Sequence, residues 1–482
     1  MTLREVIGDA ARDAPHVEVD ALAYDNRTVS SGTVFFCVPG FTSDGHDFAA
    51  DAVQRGASAL VVQRPLGLGV PEVVVDDVRA AMAPAAARLH GDPTAALRMV
   101  GVTGTNGKTT TAHLVRALLE HAGTRTGLLG TVSQIVGGEE TPAVRTTPEA
   151  IDLQRTFAEM VARGDEACVM EVSSHALRLR RADAIHWSVA IFTNLTQDHL
   201  DFHTGMEDYF SAKRELFVPP AGVLAHEPRT AVINVDDPYG ARLAEQVPGA
   251  ITVGIASSTA TLRATDVRST FTGTTFAADD RVWSLPVPGE FNVLNALGAI
   301  AAVRALGVPD EVIAEGLAGF GRVPGRFEPV DEGQDFGVLV DYAHTPDALD
   351  NVLRAARPLA ADRGGRLLCV FGCGGDRDRA KRPLMGGIAA RLADVVVVTS
   401  DNPRSEDPHA ILAEIVSGID REDVEVIEDR AVAIGRAISM AGSGDVVVIA
   451  GKGHEQGQEL AGGVKIPFDD VTTAREALRH HA

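Results

Sequence analysis

The stretch from Gly101 to Thr111, G-V-T-G-T-N-G-K-T-T-T, carries the residue types that a nucleoside triphosphate requires. Gly104 and Gly107 let backbone N–H groups turn toward phosphate oxygens, and Thr105, Asn106 and Thr110 complete the loop. Lys108 reaches the terminal phosphates, Thr109 offers a hydroxyl to magnesium, and the start of the following helix adds its dipole. The pattern is a shorter variant of the usual phosphate loop, because Val102 stands where a glycine five residues before Gly107 is expected.

Two further clusters offer metal-binding chemistry. Glu171-Val172-Ser173-Ser174-His175 and Thr193 to His203, the latter containing Asp198 and His199, each follow an apolar run that reads as a buried strand. Polar groups at the carboxyl ends of strands are where open α/β sheets bind ligands. A carboxylate and histidines beside a phosphate loop predict a second magnesium, with Glu171 and His199 as its ligands. Lys213 lies in an amphipathic run, Tyr209 to Phe217, and on its own reads as a surface charge. Arg145-Thr146-Thr147-Pro148-Glu149 reads as a helix start, with a threonine N-cap and proline at the first helical position.

Strand, glycine loop and helix must hold these groups in place. Arg98 to Val102 reads as the end of a buried strand, and Ala112, Val115, Leu118 and Leu119 recur at helical spacing until Gly123. At about 150 residues per domain, 482 residues predict three domains. The expected boundaries give an N-terminal unit 1–92, a central unit 93–324 and a C-terminal unit 325–482. The first has short apolar strands near 33–39, 59–62 and 73–75, with hydrogen-bonding loops at Asp25 to Thr28 and Gly40 to Asp47. In the last, strands near 338–340, 367–371, 395–399 and 446–450 end in Asp341-Tyr342-Ala343-His344, Gly374-Gly375-Asp376-Arg377, Asp401-Asn402-Pro403-Arg404 and Gly451-Lys452-Gly453-His454-Glu455. Such a series describes a parallel, doubly wound sheet with one functional edge. The turn after Phe371 has Arg377 in place of a third glycine, which argues against a nicotinamide cofactor. The fold class is therefore α/β: a small N-terminal α/β domain, a central P-loop ATPase-like parallel sheet and a C-terminal Rossmann-like domain.

Lys and Arg number 44 against 66 Asp and Glu, a net charge of −22. With no basic run or aromatic platform, nucleic acid and anionic membrane surfaces are disfavoured. No apolar run approaches a membrane span and the first residues lack a signal-peptide core, so a cytoplasmic location is expected. The four cysteines are scattered and read as reduced, buried thiols rather than zinc ligands.

Taken together and in order, G-T-N-G-K-T-T, E-V-S-S-H, T-N-L-T-Q-D-H-L-D-F-H, Y-F-S-A-K, F-N-V-L-N, G-R-F-E, D-Y-A-H-T-P-D, G-G-D-R-D, D-N-P-R and G-K-G-H-E resemble the Mur ligases over nearly the whole chain. The resemblance implies ATP-dependent addition of meso-diaminopimelate to UDP-N-acetylmuramoyl-L-alanyl-D-glutamate, with magnesium as cofactor and a monomeric enzyme. It implies that Lys213 is carbamylated and joins Thr109, Glu171 and His199 at magnesium, overturning the surface-charge reading. Lys108 and His344 would serve catalysis, and Asn292, Arg326 and Asp341 would hold ATP. Asn26, the loop with Gly40, Asp44 and His46, Thr146, Thr147, Ser173 and Arg181 would meet the UDP-linked dipeptide. Arg377, Asp401, Asn402, Pro403, Arg404, Gly451 and Glu455 would hold the amino acid, Arg404 as a buried, uncompensated cation. Asn26 and Leu179 depart from the family's usual serine and polar residue. An L-lysine-adding relative and a folate polyglutamylating ligase are the nearest alternatives. A P-loop switch that makes no product is the alternative from another class.

Overall fold

The computed structural model describes residues 1–220 and 226–481 as three α/β domains, each built on a mainly parallel sheet. The first sheet runs Ala21–Ala23, Thr33–Phe36, Ala57–Val62 and Glu72–Val74, all parallel and in sequence order. Its faces alternate: Val34, Phe36, Ala59 and Val61 pack against Val78–Leu89 on one side, while Phe35, Leu60 and Val62 face Ala49–Gln54 on the other. Ala150, Ile151 and Ala184 of the central domain complete the first of these cores.

Among the described residues the central sheet has nine strands. Arg98–Thr103 lies between Ala167–Glu171 and Trp187–Phe192, parallel to both. It is the point where strand order reverses, so its carboxyl end opens into the crevice characteristic of doubly wound sheets. Met99 faces one core and Val100 and Val102 the other, as the two-residue period of a strand dictates. Antiparallel strands Ser133–Val136 and Glu139–Pro142 extend one edge. A separate antiparallel meander, Thr265–Thr270, Gly273–Ala278 and Arg281–Leu285, packs Phe276 and Trp283 onto the Lys108–His121 side of the sheet. The sequence reading did not anticipate either antiparallel group.

The third sheet places Gly337–Asp341, Val446–Ala450, Leu367–Phe371, Val395–Thr399 and Val424–Ile427 side by side and parallel, with short Glu328–Pro329 antiparallel at the edge. The four sequence-predicted strands thus deliver their polar termini along one edge. Among the described residues no helix is long and apolar enough to cross a membrane. All four cysteines are buried and free.

The predicted helix start at Thr147 lies elsewhere. The helix spans Ala150–Ala162 with Glu149 at its N-cap, and the Thr147 hydroxyl instead donates to the Glu171 carbonyl at 2.9 Å. A long-range partner displaced the local capping preference.

Candidate active site

The phosphate loop is shaped by what surrounds it. Gly104 has φ 149° and Gly107 φ 84°, and Gly107 caps the helix Lys108–His121. A Cβ on Gly104 would fall 1.9 Å from Thr193 Oγ1, and one on Gly107 2.4 Å from Asn295 Oδ1, so space and dihedral both require glycine. Thr193 Oγ1 donates to Asn106 O at 2.6 Å and Asn194 Oδ1 accepts from Asn106 N at 2.9 Å, pinning the loop to the next strand end. Lys108 Nζ donates to Gly104 O at 2.9 Å and Thr105 O at 2.8 Å. Burial pushes its pKa down, partly offset by the charges of Glu171 and Asp198.

Glu171 is buried at the end of its strand. Its Oε2 accepts from Thr109 Oγ1 at 3.2 Å and Thr131 Oγ1 at 3.0 Å, and its Oε1 from Thr131 N at 2.8 Å. His199, at φ 53°, borders the same cavity of about 270 Å³, as does Lys213. A left-handed non-glycine residue is strained backbone, and such strain concentrates at functional sites. Burial holds the His199 imidazole below its ordinary value against the pull of Asp198, whose Oδ2 lies 3.4 Å from its Nε2. Lys213 is 1% exposed, with Nζ donating to Gly104 O at 2.7 Å and lying 4.6 Å from the Tyr209 ring centroid. Burial and then the Lys108 charge push its pKa well below the usual lysine value. The isolated surface-charge reading of Lys213 is therefore wrong, because the helix Met206–Arg214 turns this residue inward.

These donors fit magnesium. Thr109 and Glu171 offer hard oxygens side by side. No three His, Cys, Asp or Glu side chains among the described residues form a metal cage. Magnesium is typically held through one or two carboxylates with the remaining positions taken by phosphate and water.

The C-terminal domain closes the cavity. Arg326 Nη2 donates to Thr109 Oγ1 at 3.2 Å, and its guanidinium lies 4.5 Å from the Tyr342 ring centroid. Asp341 accepts from Phe327 N and Ala343 N, both at 2.7 Å. Burial raises its pKa to about 6, opposed by Arg326 and those two N–H groups. His344 Nδ1 lies 2.8 Å from Tyr342 O, and burial, then Lys381, pushes its pKa down. Asp347 Oδ2 accepts from Asn106 Nδ2 at 2.8 Å and Thr196 Oγ1 at 3.1 Å. Asn292 stands behind the wall: its amide donates to Pro288 O at 2.8 Å and accepts from Asn295 at 3.1 Å, while Asn295 itself lines the cavity.

Of the residues expected to meet the UDP-linked dipeptide, Thr146 and Ser173 line this cavity. Thr146 Oγ1 is 3.1 Å from Thr131 Oγ1, and Ser173 caps the helix Ser174–Arg178, whose C-cap is Leu179. Buried Thr147 accepts from Ser173 N at 3.2 Å. Arg181 pairs with Glu149 at 2.7 Å and donates to Thr147 O at 3.2 Å, with its Nε buried and unpartnered. Farther out, Asn26 donates to Asp51 at 2.7 Å. Gly40 N donates to Ser43 O at 2.9 Å, and His46 Nε2 accepts from Gln63 N at 3.0 Å while its Nδ1 meets Asp44 at 2.6 Å. Both ring nitrogens of His46 are thus engaged within its own domain, so it shapes the loop. That loop reaches the central domain through exposed Phe41, edge-on to Phe202 at 5.9 Å between centroids.

A second cluster lies beyond Tyr342, whose hydroxyl donates to Glu455 Oε1 at 3.4 Å. Asp401, Asn402, Pro403 and Gly451 are buried around it. Glu455 Oε2 accepts from Asn402 Nδ2 at 2.8 Å and Lys452 Nζ at 3.0 Å. Arg404 is not uncompensated as expected: its Nε donates to Glu459 Oε2 at 3.1 Å and its Nη1 to Gly375 O at 2.7 Å. The hairpin Gln458–Glu459 with Lys465–Ile466 supplies that partner, which no motif signalled. Arg377 is exposed and donates to Asp376 O at 2.9 Å, outside the cluster. Lys452, Asn295, Asp347 and Glu459 are the residues that the sequence reading left without a role. Lys452 lies within G-K-G-H-E, but its burial is a property of the fold.

Comparison with known proteins matches the chain to three family descriptions: "Mur ligase family, catalytic domain" over residues 18–90, "Mur ligase middle domain" over 102–303, and "Mur ligase, glutamate ligase domain" over 325–453. The chain is 48% identical over 470 residues to a Geobacillus thermodenitrificans protein named UDP-N-acetylmuramoyl-L-alanyl-D-glutamate--2,6-diaminopimelate ligase, covering 96% of this chain and 95% of the relative. A Streptomyces coelicolor protein of the same name is 46% identical over 495 residues, covering 99% and 96%. A solved structure of a ligase with that name superposes with a TM-score of 0.70 at 32% identity, covering all of both chains.

Proposed function

This chain belongs to the Mur ligase family of ATP-dependent, amide-bond-forming ligases, and from that premise we propose that it joins meso-diaminopimelate to UDP-N-acetylmuramoyl-L-alanyl-D-glutamate in cytoplasmic peptidoglycan precursor synthesis. The working units are 1–92 for the uridine nucleotide, 93–324 for ATP and 325–482 for the amino acid, within one chain acting as a monomer.

A carboxylate does not condense with an amine until its oxygen becomes a leaving group. The dipeptide carboxylate attacks the γ-phosphorus of ATP, the bond to the β-phosphate oxygen breaks, and an acyl phosphate and ADP result. The amine of diaminopimelate then attacks the acyl carbon and releases phosphate. Such transfer is mainly positioning and charge neutralisation. Gly104 to Thr110 cradle the phosphates, Lys108 and Arg326 oppose their charge, Asp341 anchors the nucleotide side, and His344 borders the reacting groups. Thr146, Thr147, Ser173, Arg181, Asn26 and the Gly40 to His46 loop hold the dipeptide substrate. Asp401 to Arg404, Gly451, Glu455 and, on closure, Arg377 hold the amino acid.

Thr109, Glu171, His199 and carbamylated Lys213 would hold magnesium, which supplies charge neutralisation on the transferring phosphoryl group. Burial and the nearby Lys108 charge push the Lys213 pKa down, which favours the neutral amine over the ammonium. Its lone pair adds to the carbon of carbon dioxide and it loses a proton, so that the buried position becomes anionic.

The observation that carries a ligase reading is the reach of Arg326 and Asp347 onto the phosphate loop. It brings the amino-acid unit to the phosphate loop, where the acyl phosphate would form. Phosphate release by purified protein tests the reading: it is expected only when ATP, the UDP-linked dipeptide and diaminopimelate are all present. Release with ATP alone at the same rate would sink it.

A further inference from the structure

Resting on that reading, we propose that Lys452 is a positioning residue for the incoming amino acid, fixing the Asn402 amide and the Glu455 carboxylate so that Glu455 Oε1 is presented to a substrate ammonium. The Lys452 side chain is 0% exposed, with Nζ 2.8 Å from Asn402 Oδ1, 3.0 Å from Glu455 Oε2 and 3.8 Å from Asp401 Oδ1. A fully buried lysine is rarely tolerated unless paired.

The arrangement has a definite chemical consequence. An ammonium only donates, so its contact assigns the oxygen of the Asn402 amide to Lys452 and turns the Nδ2 group toward Glu455. Glu459 N, 3.0 Å from the same oxygen, enforces that orientation. Among the described residues Glu455 Oε2 then has two donors, Lys452 and Asn402, whereas Oε1 has only the long 3.4 Å contact with the Tyr342 hydroxyl. One carboxylate oxygen is held by the protein and the other is left for a ligand.

Charge balance points the same way. Arg430 and Asp470, both 0% exposed, pair with each other at 2.8 Å behind the cluster, and Arg404 pairs with Glu459 in front. Asp401 and Glu455 therefore face Lys452 as two negative charges against one positive. An amino-acid ammonium supplies the missing cation. Truncating Lys452 should leave Glu455 free to rotate, so that Oε1 is no longer held toward the ammonium, and this loss of placement outweighs the added negative charge without touching the phosphate loop.

Steady-state phosphate release by Lys452→Met, with each substrate varied in turn, tests this. The KM for meso-diaminopimelate is expected to rise about tenfold or more, while the KM values for ATP and the UDP-linked dipeptide stay within about twofold. A general packing defect would move all three together, and that result, or an unchanged KM for the amino acid in a folded variant, overturns the proposal. Should Lys452→Met fail to fold, Lys452→Gln fills much of the same space and keeps one donor for the cluster while removing the cation. The same selective rise is expected there, and its absence overturns the proposal. No phosphate release from the unmodified protein with any amino acid would instead overturn the ligase reading, and this inference with it.

Discussion

Arg326 Nη2 lies 3.2 Å from Thr109 Oγ1 although 217 residues separate them in the chain. The hydroxyl that receives this contact is also the one that donates to Glu171. One threonine therefore joins the phosphate loop, the acidic strand end and the C-terminal domain. On the proposed reading, a guanidinium so placed would oppose phosphate charge only while the domains are together, which would couple docking of the amino-acid unit to activation of the nucleotide.

Lys108→Ala tests the loop itself. The side chain hydrogen-bonds to its own loop and supports no core, so the variant should keep its melting temperature within a few degrees. Loss of a charge aimed at the transferring phosphoryl group costs on the order of a hundredfold to a thousandfold in kcat. A folded variant with near-normal turnover would remove Lys108 from the mechanism.

Lys213→Ala should lose most activity, and Lys213→Glu, which restores an anion of similar reach, should recover part of it. Intact-mass measurement under carbon dioxide should show the added carboxyl group on the unmodified protein and not on either variant. Full activity in the alanine variant, with no added mass on the parent, would refute the carbamate.

The phosphate loop, the four C-terminal strands and the Glu171 strand end were legible because each is a local pattern, an apolar run closed by polar or glycine-rich groups. What stayed hidden depends on contacts between distant segments. Lys213 reads as a surface charge until its helix is docked with that face inward. Thr147 reads as a helix cap until the Glu171 carbonyl competes for its hydroxyl. Glu459 carries no motif, and only the hairpin that folds back over Asp401 to Arg404 gives it a partner. The antiparallel meander around Trp283 alternates too weakly at its exposed edge, where Thr265–Thr270 is largely polar, to announce itself.

His113 predicts a pH dependence of stability. It sits on the phosphate-loop helix, where burial, helped by Arg326 and opposed by Glu171, holds its imidazole down to about 4. The unfolded chain takes up this proton near the ordinary value of 6.5. Between those two values the unfolded state binds more protons than the folded one, so stability falls as the pH drops through the window. His113→Gln should flatten the slope of unfolding free energy against pH there by up to about 1 kcal/mol per pH unit. Urea midpoints measured for both proteins from roughly pH 7 down to roughly pH 4.5 would show it, and parallel curves would assign the acid sensitivity to other groups.

We propose that the choice of amino acid turns on Arg404. Meso-diaminopimelate differs from lysine by a carboxylate on its far carbon, so a pocket that selects it needs a fixed cation with a free donor. Arg404 is held at φ 51° with its backbone N on Glu459 O at 3.1 Å, its Nε on the Glu459 carboxylate and its Nη1 on Gly375 O. Nη2 has no protein acceptor among the described residues and is the donor left for a carboxylate. Glu459 acts in two opposing directions: it fixes the fork in place and it offsets part of its charge, making the pocket less hostile to a lysine ammonium than an unpaired arginine would be. The preference for meso-diaminopimelate over L-lysine should still be strong, since a lost charge-assisted contact of about 1.5–3 kcal/mol corresponds to roughly tenfold to a hundredfold. Arg404→Ala should collapse that ratio of kcat/KM values, whereas Glu459→Gln, which keeps an acceptor but removes the offsetting charge, should preserve or widen it. Equal kcat/KM for the two amino acids in the unmodified enzyme would falsify this account of the pocket.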